Sequence, residues 1–200
     1  MADGFTALAA RPDTPPRVRT RWTADEFLRL SDSGGLGDAT DVELVDGALI
    51  EIPPEGSGHL LNVSRTLQRL AALIEARPEL AVGFNGAVRL GPDRVVGPDV
   101  LVFRRPVGRP SALEAGSVLL AVEHAYSTRR YDLEQKPSLY AEAGVPELWV
   151  LDNVDNVLHR FHSPARGAYF RDQPLALEDL VRAPFAPERP VKVGELFDLG

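Results

Sequence analysis

Three polar side chains stand where a plain hydrophobic core would not put them. Asp99 interrupts the apolar run over residues 95–103, directly after Gly97-Pro98. Glu123 ends the run VLLAV and carries a carboxylate to the tip of a buried strand, and Lys136 lies on the helical stretch that follows. Two carboxylates at the ends of adjacent strands offer hard oxygen ligands of the kind that share one divalent cation, Mg²⁺ or Mn²⁺. Such a cation polarises a phosphodiester and acidifies a bound water, while a nearby ammonium steadies the nucleophile or the developing charge. Metal-assisted phosphodiester hydrolysis is the chemistry expected of the three together. The plain alternatives are a turn after proline for Asp99, a solvent-facing strand end or structural ion pair for Glu123, and an exposed helix position for Lys136.

Composition narrows the classes. Of the 22 basic residues only Lys136 and Lys192 are lysines, so a lysine in this background is either retained for a task arginine does less well or there by chance. The chain has no cysteine, which excludes thiolate zinc sites and thiol catalysis. A net charge of -7 argues against a general nucleic-acid coat protein. It leaves room for a nuclease, whose metal ligands are themselves acidic. No segment reaches the roughly 18 apolar residues of a membrane span, and the first residues lack the pattern of a secretory leader. A cytoplasmic protein is expected. Residues 1–20, rich in Ala, Pro, Arg and Thr, read as a flexible tail, and 21–200 as a single domain.

The elements that must position these residues can be traced from the periodicity. Thr23 is a candidate N-cap, with Asp25 and Glu26 in the first helical turn. Residues 42–52 form a hairpin signal around Asp46-Gly47. Over 59–76, Leu60, Val63, Leu67, Leu70, Leu73 and Ile74 recur at helical steps. Strands are expected at 81–90, 94–103 and 117–125, then a helix closed by Gly144, then a buried strand at 146–152. Segments 156–162 and 168–174 read as an edge hairpin. Tyr140 and Trp149 read as core. This order, helix-strand-strand-strand-helix-strand with an added N-terminal helix and hairpin, implies an α/β (α+β) layer structure around a mixed sheet. The first three strands have short connections that suit antiparallel pairing, and the last is reached by a helical crossover that suits a parallel one.

VELVDG, GPDVLVF, AVEHAYSTRRYDLEQK and LYAEAGVPELWVLD, in this order and spacing, resemble the Uma-two family of bacterial restriction-endonuclease-like proteins. The resemblance runs from about Thr23 to beyond Asp152. It implies the PD-(D/E)XK nuclease superfamily, with a mixed four-stranded core sheet flanked by helices. Pro98-Asp99 matches the family's Pro-Asp, and Glu123 matches its second acidic ligand. The superfamily lysine stands two residues after that acid, where this chain has Ala125, and the resemblance assigns its role to the helix lysine, Lys136. It further implies Glu43 as a third metal-shell carboxylate and His59 as an accessory histidine at a helix start. The plain alternatives are an ordinary acid before a hairpin for Glu43 and packing or capping, the commoner case, for His59. His124 departs from the small apolar residue usual after the second acid. On a strand it should face away from Glu123, and packing and a place in the site are equal alternatives for it. Pro137 is awkward immediately after Lys136, because a helix running from Asp132 would need its N–H.

Arg129 and Arg130 adjoin the expected site and are candidates for phosphate contacts, with a solvated loop as the plain alternative. The leading expectation is a Mg²⁺- or Mn²⁺-dependent endonuclease cleaving DNA, with RNA as an alternative substrate. The competing expectation is a catalytically silent module on the same fold, binding nucleic acid or a protein partner. A homodimer through the 156–174 hairpin is a further expectation.

Overall fold

The computed structural model describes residues 21–36 and 42–198, so the expected tail over residues 1–20 lies outside the described residues. Helix α1 (Ala24–Asp32) starts where the sequence places it. The Thr23 side chain accepts from the Glu26 amide, and the Glu26 carboxylate accepts from the Thr23 amide. This capping box satisfies two amides that the helix cannot. Strands β1 (Val42–Val45) and β2 (Ala48–Glu51) pair antiparallel around Asp46-Gly47. Both turn residues have positive φ, 49° and 78°, as a two-residue turn with the twist of the strands demands.

Helix α2 (Ser57–Leu73) buries Val63, Thr66, Leu70 and Leu73. Leu60, expected in the apolar stripe, is instead largely exposed. It sits in the first turn of the helix, where it borders a surface cavity.

The next two apolar runs do not form one strand each. The first divides into β3 (Leu80–Gly83) and β4 (Val88–Gly91), the second into β5 (Arg94–Val96) and β6 (Val100–Arg104). The breaks have local causes: Asn85 takes a positive φ of 47°, and Pro98 has no N–H to give a ladder. β3 pairs with β6 in one sheet and β4 with β5 in another. The chain thus changes sheets twice at one level, where the Asn85 amide donates to Pro98 O at 3.2 Å. Asp99 sits at this corner, not inside a strand.

After β7 (Leu113–Glu114), the central strand β8 (Val118–Ala125) is followed by one π-helical turn, Tyr131–Gln135, and helix α3 (Lys136–Glu142). β9 (Glu147–Asp152) then pairs parallel to β8. β10 (Val157–Ala165) and β11 (Ala168–Arg171) continue that sheet as a hairpin, and β12 (Leu180–Val181) pairs with β13 (Val191–Lys192). The large sheet has the order β11-β10-β9-β8-β6-β3, and the smaller one β2-β1-β5-β4-β7. The four-stranded mixed core implied by the resemblance is contained in β3-β6-β8-β9, and the edge hairpin extends it to six strands.

One face of the large sheet packs Val100, Val102, Leu120, Val122 and Trp149 against α2 and the C-terminal Leu196 and Phe197. The other packs Leu101, Ala121, Ala125 and Val150 against α3 and the small sheet. Each fully buried side chain of this size stabilises by about 1.5–3 kcal/mol. Strand alternation therefore sends Glu123 toward α3 and His124 toward α2. Among the described residues no helix is long and apolar enough to cross a membrane.

Candidate active site

Lys136 is the point of convergence. Its Nζ lies 3.0 Å from Glu123 Oε2 and 3.4 Å from both Glu43 Oε1 and Asp132 Oδ1. All four side chains are buried, and they arrive from β1, β8, the π turn and the start of α3. The π turn is what brings Lys136 inward. Its amide bonds Tyr131 O, five residues back, and α3 then restarts with Pro137 in its first turn, where no N–H is required. Pro137 does disturb the helix, as its sequence position suggests. The disturbance is a widened turn that leaves Lys136 only 5% exposed. Ala125, in the usual lysine place, points to the same face of β8 as Glu123 and is sealed beneath Leu139 and Tyr140. With α3 packed there, the ammonium reaches the site from the helix.

Each carboxylate has a second donor. Tyr140 Oη donates to Glu123 Oε1 at 2.7 Å and Tyr131 Oη to Glu43 Oε2 at 2.9 Å. The Gly97 amide donates to Glu43 Oε1 at 3.1 Å, and Thr128 Oγ1 to Asp132 Oδ2 at 2.5 Å. Burial alone would discharge Lys136, but Glu123, Glu43 and Asp132 outweigh it and hold the ammonium above its usual pKa. One ammonium cannot serve three carboxylates equally. Burial, only partly opposed by Lys136, pushes Glu123 well above the usual carboxylate range and raises Asp132 too.

Asp99 is held differently. Its Oδ1 lies 3.1 Å from His59 Nε2, and its Oδ2 accepts the His124 amide at 2.7 Å. Burial pushes the Asp99 pKa up, yet the His59 hydrogen bond and charge outweigh it and bring the pKa below normal. For His59 burial acts downward and Asp99 prevails, so its pKa is raised. His59 Nδ1 is buried with no hydrogen-bond partner among the described residues.

The His124 ring lies on the opposite face, as alternation requires. Thr66 Oγ1 donates to Leu196 O at 2.9 Å, so its oxygen is left to accept from His124 Nε2–H at 3.1 Å. Asn153 Nδ2 approaches His124 Nδ1 at 3.5 Å. The pattern fits the neutral Nε2–H tautomer, and burial holds the His124 pKa down to about 4. A depressed histidine pKa stabilises the fold above the unfolded value of 6.5 and loses that contribution as pH falls toward about 4. The expected loss is about 3 kcal/mol. Urea unfolding of the metal-free wild type and His124→Gln should show it as a difference in slope across this window, since the other titrating groups are common to both. An identical pH profile in the variant would overturn the assignment.

Glu43, Asp99, Glu123, Asp132 and Lys136 all line one cavity of ≈ 310 Å³, with His59 at its wall. Asp99, Glu123, Glu43, Lys136 and His59 are thus brought together, and His124 touches the site only through its amide. Arg129 and Arg130 do not line the cavity. The Arg129 guanidinium is engaged by Asp152 at 2.8 Å and by Asp155, which clamps the loop after β8. Arg130 is exposed and pairs with Glu134. Among the described residues no group of three or more His, Asp or Glu side chains is placed to hold a metal ion, and an ammonium stands among Glu43, Glu123 and Asp132.

The family model described as putative restriction endonuclease, Uma2, matches residues 24–192. The chain belongs to the Uma2 family. A crystal structure of a putative nuclease belonging to DUF820 from Anabaena variabilis ATCC 29413 shares the fold of this Uma2 chain, with a TM-score of 0.67 and 17% identity. The match covers 88% of this chain and 97% of that one. No curated protein matches the sequence at a significant level.

In this Uma2 chain, Asp132, Tyr131, Tyr140 and Thr128 belong to the site without having been singled out from sequence as functional. Asp132 and Lys136 are four residues apart, a spacing that signals a same-face ion pair, and that was the available clue. The tyrosines gave none, because a buried Tyr donating to a carboxylate looks like core.

Proposed function

We propose that this protein is a metal-dependent nuclease hydrolysing DNA phosphodiester bonds at the Asp99–Glu123–Lys136 cavity. The observation that carries the proposal is the buried convergence of Glu43, Glu123 and Asp132 on one ammonium, beside Asp99, in a cavity open to solvent. A structural ion pair needs one carboxylate per ammonium. Here the excess of buried negative charge, expressed in the raised Glu123 and Asp132 pKa values, fits a site built to receive a further cation.

The donor set is all oxygen and suits Mg²⁺ or Mn²⁺. Asp99 and Glu123 would hold the ion, with Glu43 as a third ligand. When bound, the ion polarises the phosphodiester and acidifies a coordinated water. The chain's own groups have separate tasks. His59 and the His124 amide fix the two oxygens of Asp99. Tyr140 and Lys136 orient Glu123, and Lys136 supplies positive charge beside the attacking oxygen and the developing phosphorane charge.

Purified protein should nick or cut DNA, offered as supercoiled plasmid or as single strands, with Mn²⁺ or Mg²⁺, and Asp99→Ala should abolish it. Ion binding should also expel protons from Glu123 and Asp132. Calorimetry in buffers of different ionisation enthalpy should register that release, with affinity rising as pH rises. Nicking that survives Asp99→Ala, or ion binding without proton release, would count against the proposal.

A further inference from the structure

The carboxylate cavity is poorly suited to tracking a phosphate backbone by charge. Glu43, Glu55, Asp99, Glu123 and Asp132 line it against Lys136 and His59, both already paired with these carboxylates, and the nearby Arg129 and Arg130 are paired outside it. One divalent cation leaves that wall negative. Counterion-release binding needs a strip of free cations, and the cavity has none among the described residues.

Aromatic rings border it instead. Phe84 and Tyr126 are each 62% exposed. Phe84 lines the carboxylate cavity, Tyr126 lines an adjoining cavity of ≈ 360 Å³, and the two cavities share Glu55 and His59. Both rings stand on anchored loops. Phe84 precedes Asn85, whose amide is tied to Pro98 O, one residue before Asp99. Tyr126 follows Glu123 by three residues, and its neighbour Ser127 donates to Glu55 Oε1 at 2.6 Å. A large ring held out in water on a fixed loop loses little freedom when a flat partner covers it. Nucleobases are such partners, but in a duplex their faces are already stacked on one another.

We propose that Phe84 and Tyr126 are stacking platforms for unpaired bases, so that the substrate of this site is a single-stranded nucleic-acid segment and not an intact duplex. The purpose of that binding rests on the nuclease proposal above. The stacking itself is read by binding alone.

The test is fluorescence anisotropy with labelled oligothymidylate and a duplex of equal length, in Ca²⁺ to hold the site without turnover, alongside cleavage assays in Mn²⁺. The oligothymidylate should bind at least about tenfold tighter than the duplex, with a shallow salt dependence because the cavity offers no strip of free cations to its phosphates. Phe84→Ala and Tyr126→Ala should each weaken it about tenfold, while Phe84→Trp retains it. Equal or tighter duplex binding, unchanged affinity in both alanine variants, or no nucleic-acid binding at all overturns the proposal. So does a change of oligomeric state in the alanine variants with oligothymidylate binding intact, which would make the rings a contact between copies. Stacking-dependent binding without any cleavage leaves this proposal standing and removes the nuclease one. Duplex cleavage indifferent to both alanine substitutions does the reverse.

Discussion

Lys136→Met should destabilise the metal-free protein by about 3–5 kcal/mol, a loss of the size seen when one partner is taken from a buried ion pair. The methionine fills much of the lysine's volume, so the loss measures charge more than packing. It leaves Glu43, Glu123 and Asp132 buried around an apolar group, so Glu123 and Asp132 must take up protons or the cluster must admit water. The destabilisation should therefore shrink at acid pH, where protonation of Glu123 and Asp132 removes the unpaired charge. Urea midpoints for both proteins at neutral and acid pH would measure this. A difference below about 1 kcal/mol at neutral pH would mean that the four groups are solvated and hold no excess of buried charge.

The parts of this site that sequence makes visible are those where a polar residue violates a local pattern. Glu123 is visible because it ends a run of five apolar residues, and Asp99 because it follows Pro98 in a run that should otherwise be strand. Lys136 is visible as one of two lysines among 22 basic residues. The fold was legible for the same kind of reason: the Thr23 cap, the Asp46-Gly47 turn and the helical crossover from β8 to β9 are each fixed within a few residues. What was not legible depends on three-dimensional register. Residues 81–90 and 94–103 have strand-like composition throughout, and nothing in their pattern says that the chain passes between two sheets at residues 84–87 and 97–99. That double crossing is what puts Asp99 at a corner and Phe84 at the cavity rim. The π turn is equally hidden. Pro137 announces that an α-helix from Asp132 cannot continue unbroken, but not that the chain will widen by one residue. That widening leaves Lys136 buried among carboxylates from three other elements.

Glu123→Gln should separate stability from activity more cleanly than any other change in the cavity. The side chain keeps its shape, and its amide oxygen can still accept from Lys136 at the position where Oε2 now lies 3.0 Å from Nζ. One hydrogen bond is compromised: the Tyr140 hydroxyl, which now donates to Oε1, meets an NH₂ group. That costs about 1 kcal/mol. Against it stands the removal of a carboxylate that burial already makes reluctant to ionise, so Lys136 keeps two partners and the cluster loses part of its charge excess. The metal-free variant should thus match the wild type within about 1 kcal/mol, in contrast to Lys136→Met. Cleavage should fall by about 10²–10³-fold or more, and the stabilisation by Mn²⁺, about 2.7 kcal/mol at a hundred times the dissociation constant, should disappear. A residue kept for folding would give the opposite pattern, with stability and activity lost together. If Glu123→Gln unfolds the protein as readily as Lys136→Met, the carboxylate is a structural partner of the ammonium. Stability retained with ion binding and cleavage lost marks a group held in the core, at some cost to the fold, for what it does when a cation arrives.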